Sequence, residues 1–180
     1  MAPPPGVRRV MRPAPGAVAA AHTGRRPLTL AAQCMALAHT WPQLRCRFVG
    51  RGRGTRLVCR GALRPSPVTR TYEVRIEYTA GGAPHAFVEA PHLVGRPDVP
   101  AIPHTYPSLP GAATEACLFY PPDGDWREDR PLAATVVPWL LEWLVFYELW
   151  LSTGVWQGGG VEHAPAAQPA PPNASPPATD

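Results

Sequence analysis

The sequence predicts an α+β domain: one helix, a meander of four antiparallel strands, a long proline-rich segment, and a second, strongly apolar helix. Three observations carry that prediction. Apolar residues recur at helical spacing over 28–39, side chains alternate strictly over 72–78, and an almost wholly apolar run covers 133–151. In a chain of 180 residues, the folded part is expected over 28–163, enough for one core. Residues 1–27 carry Arg8, Arg9, Arg12, Arg25 and Arg26 with no acidic residue, and 164–180 is a Pro/Ala tract. Both are expected to be disordered, because neither can bury enough apolar surface to offset the entropy of ordering.

The elements follow in order. Residues 28–39 (LTLAAQCMALAH) are rich in helix formers and stop before Trp41-Pro42. Leu44, Cys46 and Phe48 alternate with Arg45 and Arg47 as a half-buried strand, and residues 56–60 form its hairpin partner across the turn Gly50-Arg51-Gly52-Arg53-Gly54. That turn lacks the lysine and the following helix of a phosphate-binding P-loop, so it reads as a hairpin turn. Tyr72, Val74, Ile76 and Tyr78 alternate with Glu73, Arg75 and Glu77 in the clearest strand. After a glycine turn, 86–90 makes the fourth. From 91 to 122, prolines at 91, 97, 100, 103, 107, 110, 121 and 122 leave no period. A structureless stretch of that length within one domain tends to be functional. Thr135 can then cap a helix running to about Thr153, with Pro138 tolerated in its first turn and Gly154 ending it.

Composition narrows the function classes. The net charge is +4, yet lysine is absent and all 17 basic residues are arginine, a pattern of GC-rich coding more than of a polyanion surface. The positive charge gathers in the N-terminal tail and the hairpin from Arg45 to Arg60. No aromatics alternate with it as single-strand binders require, so a solvated face is expected and no specific nucleic-acid binding. No membrane partner is expected either: 133–151 contains Pro138, Glu142 and Glu148 and fits a buried helix better than a span. The N-terminus has no continuous apolar core of a signal peptide, so the sequon at Asn173 carries no meaning. A cytoplasmic protein with reduced thiols follows as the expectation.

Cys34, Cys46, Cys59 and Cys117 show no CxxC pairing, and His85, His92, His104 and His163 are scattered. A zinc-dependent hydrolase built from them is a weak alternative; no metal site is expected, and no cofactor. Cys34 falls on the apolar side of the first helix and Cys46 and Cys59 on apolar alternation in strands, so each reads as a small buried hydrophobe. Cys117 differs. It lies in the irregular segment, followed by Leu118, Phe119, Tyr120 and Pro121, with Trp126 close behind. A lone thiol on a loop held by a rigid scaffold suits the passage of an acyl group between thioesters, since the thiolate is strongly nucleophilic even as a small fraction. The apolar helix carries Trp139, Trp143 and Trp150, with Trp156 just beyond. So many large rings suggest that part of this surface docks a partner.

This order of elements resembles the ubiquitin-conjugating-enzyme (UBC) fold. More narrowly, Tyr72-Glu73-Val74-Arg75-Ile76, Pro103-His104-Thr105-Tyr106, Cys117-Leu118-Phe119-Tyr120-Pro121, Glu142-Trp143-Leu144 and Thr153-Gly154-Val155-Trp156 are similar to one bacterial branch. Its members are small conjugating-enzyme-like proteins encoded beside cGAS-like nucleotidyltransferases in CBASS antiphage operons. The resemblance implies that Cys117 is the thioester-forming nucleophile, that His104 stands near the family's His-Pro-Asn position, and that Trp126 is the tryptophan packed beside the active-site loop, with Tyr106 in support. Pro103-His104-Thr105 holds no asparagine, so His104, Thr105 or a backbone N–H is expected to supply the oxyanion donor. The implied partner is a cGAS-like nucleotidyltransferase joined through its C-terminal carboxyl. With no nucleotide-binding motif in the chain, activation is expected from a separate activating protein or from a partner that arrives already reactive. The competing class is a non-catalytic UBC-like module that only holds the same partner. Inactive members of that fold lack the cysteine, which this chain keeps.

Overall fold

In the computed structural model, residues 26–109, 111–119 and 125–158 are described. The tails expected at 1–27 and 164–180 lie outside the described residues, except Arg26 and Pro27.

Helix α1 spans Leu30–Thr40. Thr29 caps it, its hydroxyl accepting the Ala32 N–H at 3.1 Å. Its buried residues are Gln33 and Leu37, while Cys34 is only half-buried. Cys34 packs against the core from a half-buried position, and the fully buried place beside it goes to the polar Gln33. Both ends of the Gln33 amide are satisfied, Nε2 donating to the Arg130 carbonyl at 3.0 Å and Oε1 accepting the Leu132 N–H at 2.7 Å. A fully paired amide is what makes such burial tolerable. Trp41 adds a bond from its indole N–H to the Ala133 carbonyl, so α1 is fastened to the segment that leads into the last helix.

Five strands follow: β1 (Arg45–Val49), β2 (Arg56–Leu63), β3 (Tyr72–Thr79), β4 (His85–Ala90) and β5 (Thr114–Glu115), in sequential, wholly antiparallel order. The expected four-stranded meander thus gains a fifth member. β5 has two residues, too few to show a period, and it exists because its backbone finds the free edge of β4, Phe87 opposite Glu115 and Val88 opposite Thr114. The β1–β2 turn requires glycine at Gly50, where φ is +93° and a Cβ would stand 2.6 Å from the Gly54 oxygen.

Alternation in β3 sorts the two faces. Tyr72, Val74, Ile76 and Tyr78 are buried, each large side chain contributing about 1.5–3 kcal/mol when removed from water. Opposite them, Arg75 pairs with Glu77 and Glu89 and lays its guanidinium 3.9 Å over the Phe87 ring, while Arg60 reaches Glu89 at 3.1 Å. Cys46 and Cys59 correct another expectation. Register sets them directly opposite one another, and they form a disulfide in place of two separate reduced thiols. Each strand alone shows an apolar cysteine, and only the pairing shows that the two are neighbours.

Helix α2 spans Val136–Thr153. Pro138 sits where a backbone N–H would lack a helical partner in any case. Thr135 does not cap with its side chain as expected; its hydroxyl donates to the Pro131 carbonyl at 2.8 Å. Gly154 ends the helix with φ +77°, its N–H on the Trp150 carbonyl. By length and composition, the 22 residues Leu132–Thr153 are apolar enough to cross a membrane, which the sequence reading had excluded. In the fold this is the core helix: Val136, Val137, Leu140, Trp143, Leu144, Tyr147 and Trp150 are buried, and the Tyr72 hydroxyl of β3 donates to Glu148 at 2.8 Å.

Candidate active site

The proline-rich segment is held by hydrogen bonds to α2. The Tyr147 hydroxyl donates to the Val94 carbonyl and accepts the Val94 N–H, both at 3.0 Å. Arg96 donates to the Leu151 carbonyl at 2.8 Å, placing a cation at the negative end of α2. The Trp143 indole N–H donates to the His104 carbonyl at 3.0 Å. Each of these is a side-chain bond to backbone, so a chain without its own regular structure is still fixed at three points.

The last of these points builds the site. The His104 carbonyl also accepts the Cys117 N–H at 2.9 Å, and the Tyr106 N–H donates to the Glu115 carbonyl at 3.0 Å. Thr105 and Ala116 are thus bridged antiparallel, and Ala116 in turn donates its N–H to Ala86 of β4 at 2.9 Å. Residues 104–106 therefore extend the sheet beyond β5, and Cys117 is anchored through its own backbone at this edge. Ala116 is buried while Glu115 and Cys117 are half-buried, so strand alternation turns the carboxylate and the thiol to the same, outer side.

The Tyr106 phenol is hydrogen-bonded to the Cys117 thiol. Burial first, and then that bond with the nearby Cys117 and Glu115 charges, push the phenol up to about 12, so it stays a protonated donor at neutral pH. The thiol itself points to the Phe119 carbonyl at 3.9 Å. Next to Tyr106 is a shallow depression lined by His85, Ala86, Glu115, Leu118 and Phe119. In it the His85 Nδ1 and Glu115 Oε1 are 2.6 Å apart.

The other expected residues fall as follows. His104 adopts φ +53°, a left-handed conformation that histidine tolerates better than most residues. Its ring lies 5.1 Å from that of Trp156, and its carbonyl accepts both the Trp143 indole N–H and the Cys117 N–H. The Thr105 hydroxyl donates to the Ile102 carbonyl at 3.0 Å, which commits the hydrogen expected for an oxyanion. Trp126 packs edge-on to Tyr78 of β3 at 5.6 Å. Among the four tryptophans expected to dock a partner, Trp143 and Trp150 are buried at 4% and 2% exposure. Both belong to the core: Trp143 stacks on Tyr147, which also contacts Trp150. Trp139 and Trp156 retain surface, Trp139 lying against Phe119 at 5.7 Å. Sequence reading missed His85 and Glu115; the spacing of Glu115 two positions before Cys117 was the available signal, but β5 was too short to show alternation. Among the described residues, no three His, Cys, Asp or Glu side chains gather as a metal site.

No curated protein matches the sequence. Residues 33–164 do match the family model described as Type II CBASS E2 protein. The match covers most of α1, the sheet, the anchored cysteine and the core helix, and the chain belongs to the Type II CBASS E2 protein family.

Proposed function

We propose that the protein is a conjugating enzyme that takes the C-terminal carboxyl of a partner as a thioester on Cys117 and then passes it on. Family membership gives an E2-like role in CBASS defence. The resemblance set out above supplies a cGAS-like nucleotidyltransferase as the partner, activated by a separate protein or arriving already reactive, because this chain has no nucleotide-binding motif. The observation that carries the reading is the setting of the thiol: a half-buried Cys117 with its N–H on the His104 carbonyl and the Tyr106 phenol on its sulfur.

The chemistry asks little more. The thiolate attacks the activated acyl carbon, the carbonyl oxygen takes up negative charge, and the leaving group departs as the thioester forms. Exchange between two thioesters is nearly balanced, so positioning and one oxyanion donor, worth about 3 kcal/mol, are the main demands on the protein. Tyr106 is the donor that fits, because its proton is retained and its hydroxyl already lies at the sulfur.

The test is adduct formation with the partner and its activating protein, read by non-reducing gels and intact mass. Cys117→Ala should abolish a thiol-sensitive adduct that Cys34→Ala retains, and Cys117→Ser should leave an ester that resists reductant. Tyr106→Phe should slow loading by roughly 10²-fold, with Thr105→Ala close to wild type. An adduct that persists in Cys117→Ala would overturn the assignment and leave a module that only holds its partner.

A further inference from the structure

The His85–Glu115 pair has no part in forming a thioester, yet it is arranged for chemistry. Glu115 as a carboxylate can only accept, so the 2.6 Å contact places the imidazole proton on Nδ1 and leaves the Nε2 lone pair unprotonated in the neutral ring. Among the described residues, no side chain or backbone group pairs with Nε2. The His85 side chain is 56% exposed and that of Glu115 22%, so the carboxylate is sheltered while the ring remains reachable. A second contact steadies the ring, which stacks on Phe87 at 6.4 Å. An imidazole held at one nitrogen by a carboxylate, with the other open, is the arrangement of a general base.

Its location links it to Cys117. Glu115 and Cys117 are two residues apart on the same side of one extended segment, about 6.6 Å along the chain. Tyr106 joins them physically: its phenol is bonded to the thiol and its ring forms one wall of the depression that holds His85 and Glu115. Tyr106 and Glu115 line the depression and are also the neighbours of Cys117, one through its phenol and one along the strand, so the imidazole lies on the side of the sheet edge that the thiol faces.

We infer that His85, oriented by Glu115, accepts the proton of a primary amine that takes the acyl group from Cys117. This rests on the thioester reading above. The amine nitrogen attacks the acyl carbon, the C–N bond forms, and the C–S bond breaks with the electron pair leaving on sulfur. Before attack, His85 Nε2 takes the proton of the ammonium and Glu115 balances the imidazolium, which later releases that proton to water; after attack, the remaining extra proton on nitrogen passes to the Cys117 thiolate. A thiol acceptor would need no such base, because the exchange is nearly balanced and a thiolate carries no proton to remove. A lysine amine does, being protonated at neutral pH until a base removes its proton. The sequence contains no lysine, so no ε-amine within it competes with an added amine for the acyl group.

The experiment loads Cys117 from a short glycine-ended peptide thioester, removes the excess, and follows discharge by intact mass into free lysine or into hydroxylamine, an amine already neutral at neutral pH. His85→Ala should load normally but discharge into lysine at least roughly 10²-fold more slowly, with hydroxylamine discharge little changed and added imidazole restoring part of the loss. His85→Gln keeps a donor to Glu115 without a base and should match His85→Ala. Glu115→Gln should slow lysine discharge by about 10-fold, the scale of losing an orienting partner. Lysine discharge within about threefold of wild type in His85→Ala, or equal losses with lysine and hydroxylamine, would overturn the inference. Failure of the wild type to load at Cys117 would instead remove the thioester reading on which it rests.

Discussion

The meander and the segment from residue 91 to 119 are held together by different means. In the meander, alternation sets one face toward the core, Tyr72, Val74, Ile76 and Tyr78 fill it, and backbone ladders do the rest. The later segment has almost no ladder of its own. It is positioned by Tyr147 on Val94, Arg96 on Leu151, and Trp143 on His104, each linking it to α2. Stability thus resides in the periodic region, and the proposed reactive thiol in the aperiodic one. The difference shows how a flexible composition is made rigid enough for chemistry: the core helix lends its side chains and backbone ends to a loop that could not order itself.

The comparison breaks hardest in the core. Ile76→Ala removes a side chain with 1% exposure at the centre of β3 and should cost about 2–5 kcal/mol. A thermal melt or urea titration measures the loss, and the surviving folded fraction should still load Cys117 at the wild-type rate. A large drop in loading per folded molecule would show that the two regions are not separable.

A smaller effect concerns the staple in the meander. Thiol titration of the denatured, unreduced protein should count only Cys34 and Cys117 as free. Opening the Cys46–Cys59 bond, whose partners are separated by 13 residues, should lower stability by up to about 3 kcal/mol through loop-closure entropy, with loading unaffected. Four reactive thiols in the unreduced protein would contradict the bond.

The smallest change in stability should come from Trp143→Phe. It keeps the ring stacked on Tyr147 but removes the N–H that holds the His104 carbonyl, a loss of about 1 kcal/mol. Here the order of effects reverses: loading of Cys117 should fall more than the melting temperature suggests, because the same carbonyl anchors the Cys117 N–H. A loading rate that simply tracks stability would mean the anchor has no role beyond packing.

Legibility followed the same division. β3 and α2 could be read to within a residue because a period repeats over many positions: Tyr72–Thr79 and Val136–Thr153 match the expected spans closely. Cys117 stands out in the sequence for the opposite reason, as a reactive residue type in a stretch with no period to explain it. Thr135 stands at the N-cap position without capping through its side chain, and Gln33 is buried more fully than Cys34, because propensity names residues that suit a cap or an apolar face without saying which neighbours compete. The Pro131 carbonyl took the threonine hydroxyl, and Gln33 found two backbone partners that made its burial possible. Two of the four tryptophans singled out for docking are core residues, since hydropathy does not distinguish a ring that faces a partner from one that faces the sheet.

The sequence by itself determined the α+β class, the order of the first helix and four strands, the long aperiodic segment with its cysteine, and the closing helix that ends at Gly154. These depend on local periodicity and on backbone conformations that few residues allow. Only the tertiary structure decided the fifth strand, the Cys46–Cys59 bond, the Tyr106 phenol on the Cys117 thiol, and the meeting of His85 with Glu115. Each of these joins residues on different segments, and register and packing, which no single segment encodes, set the distances between them.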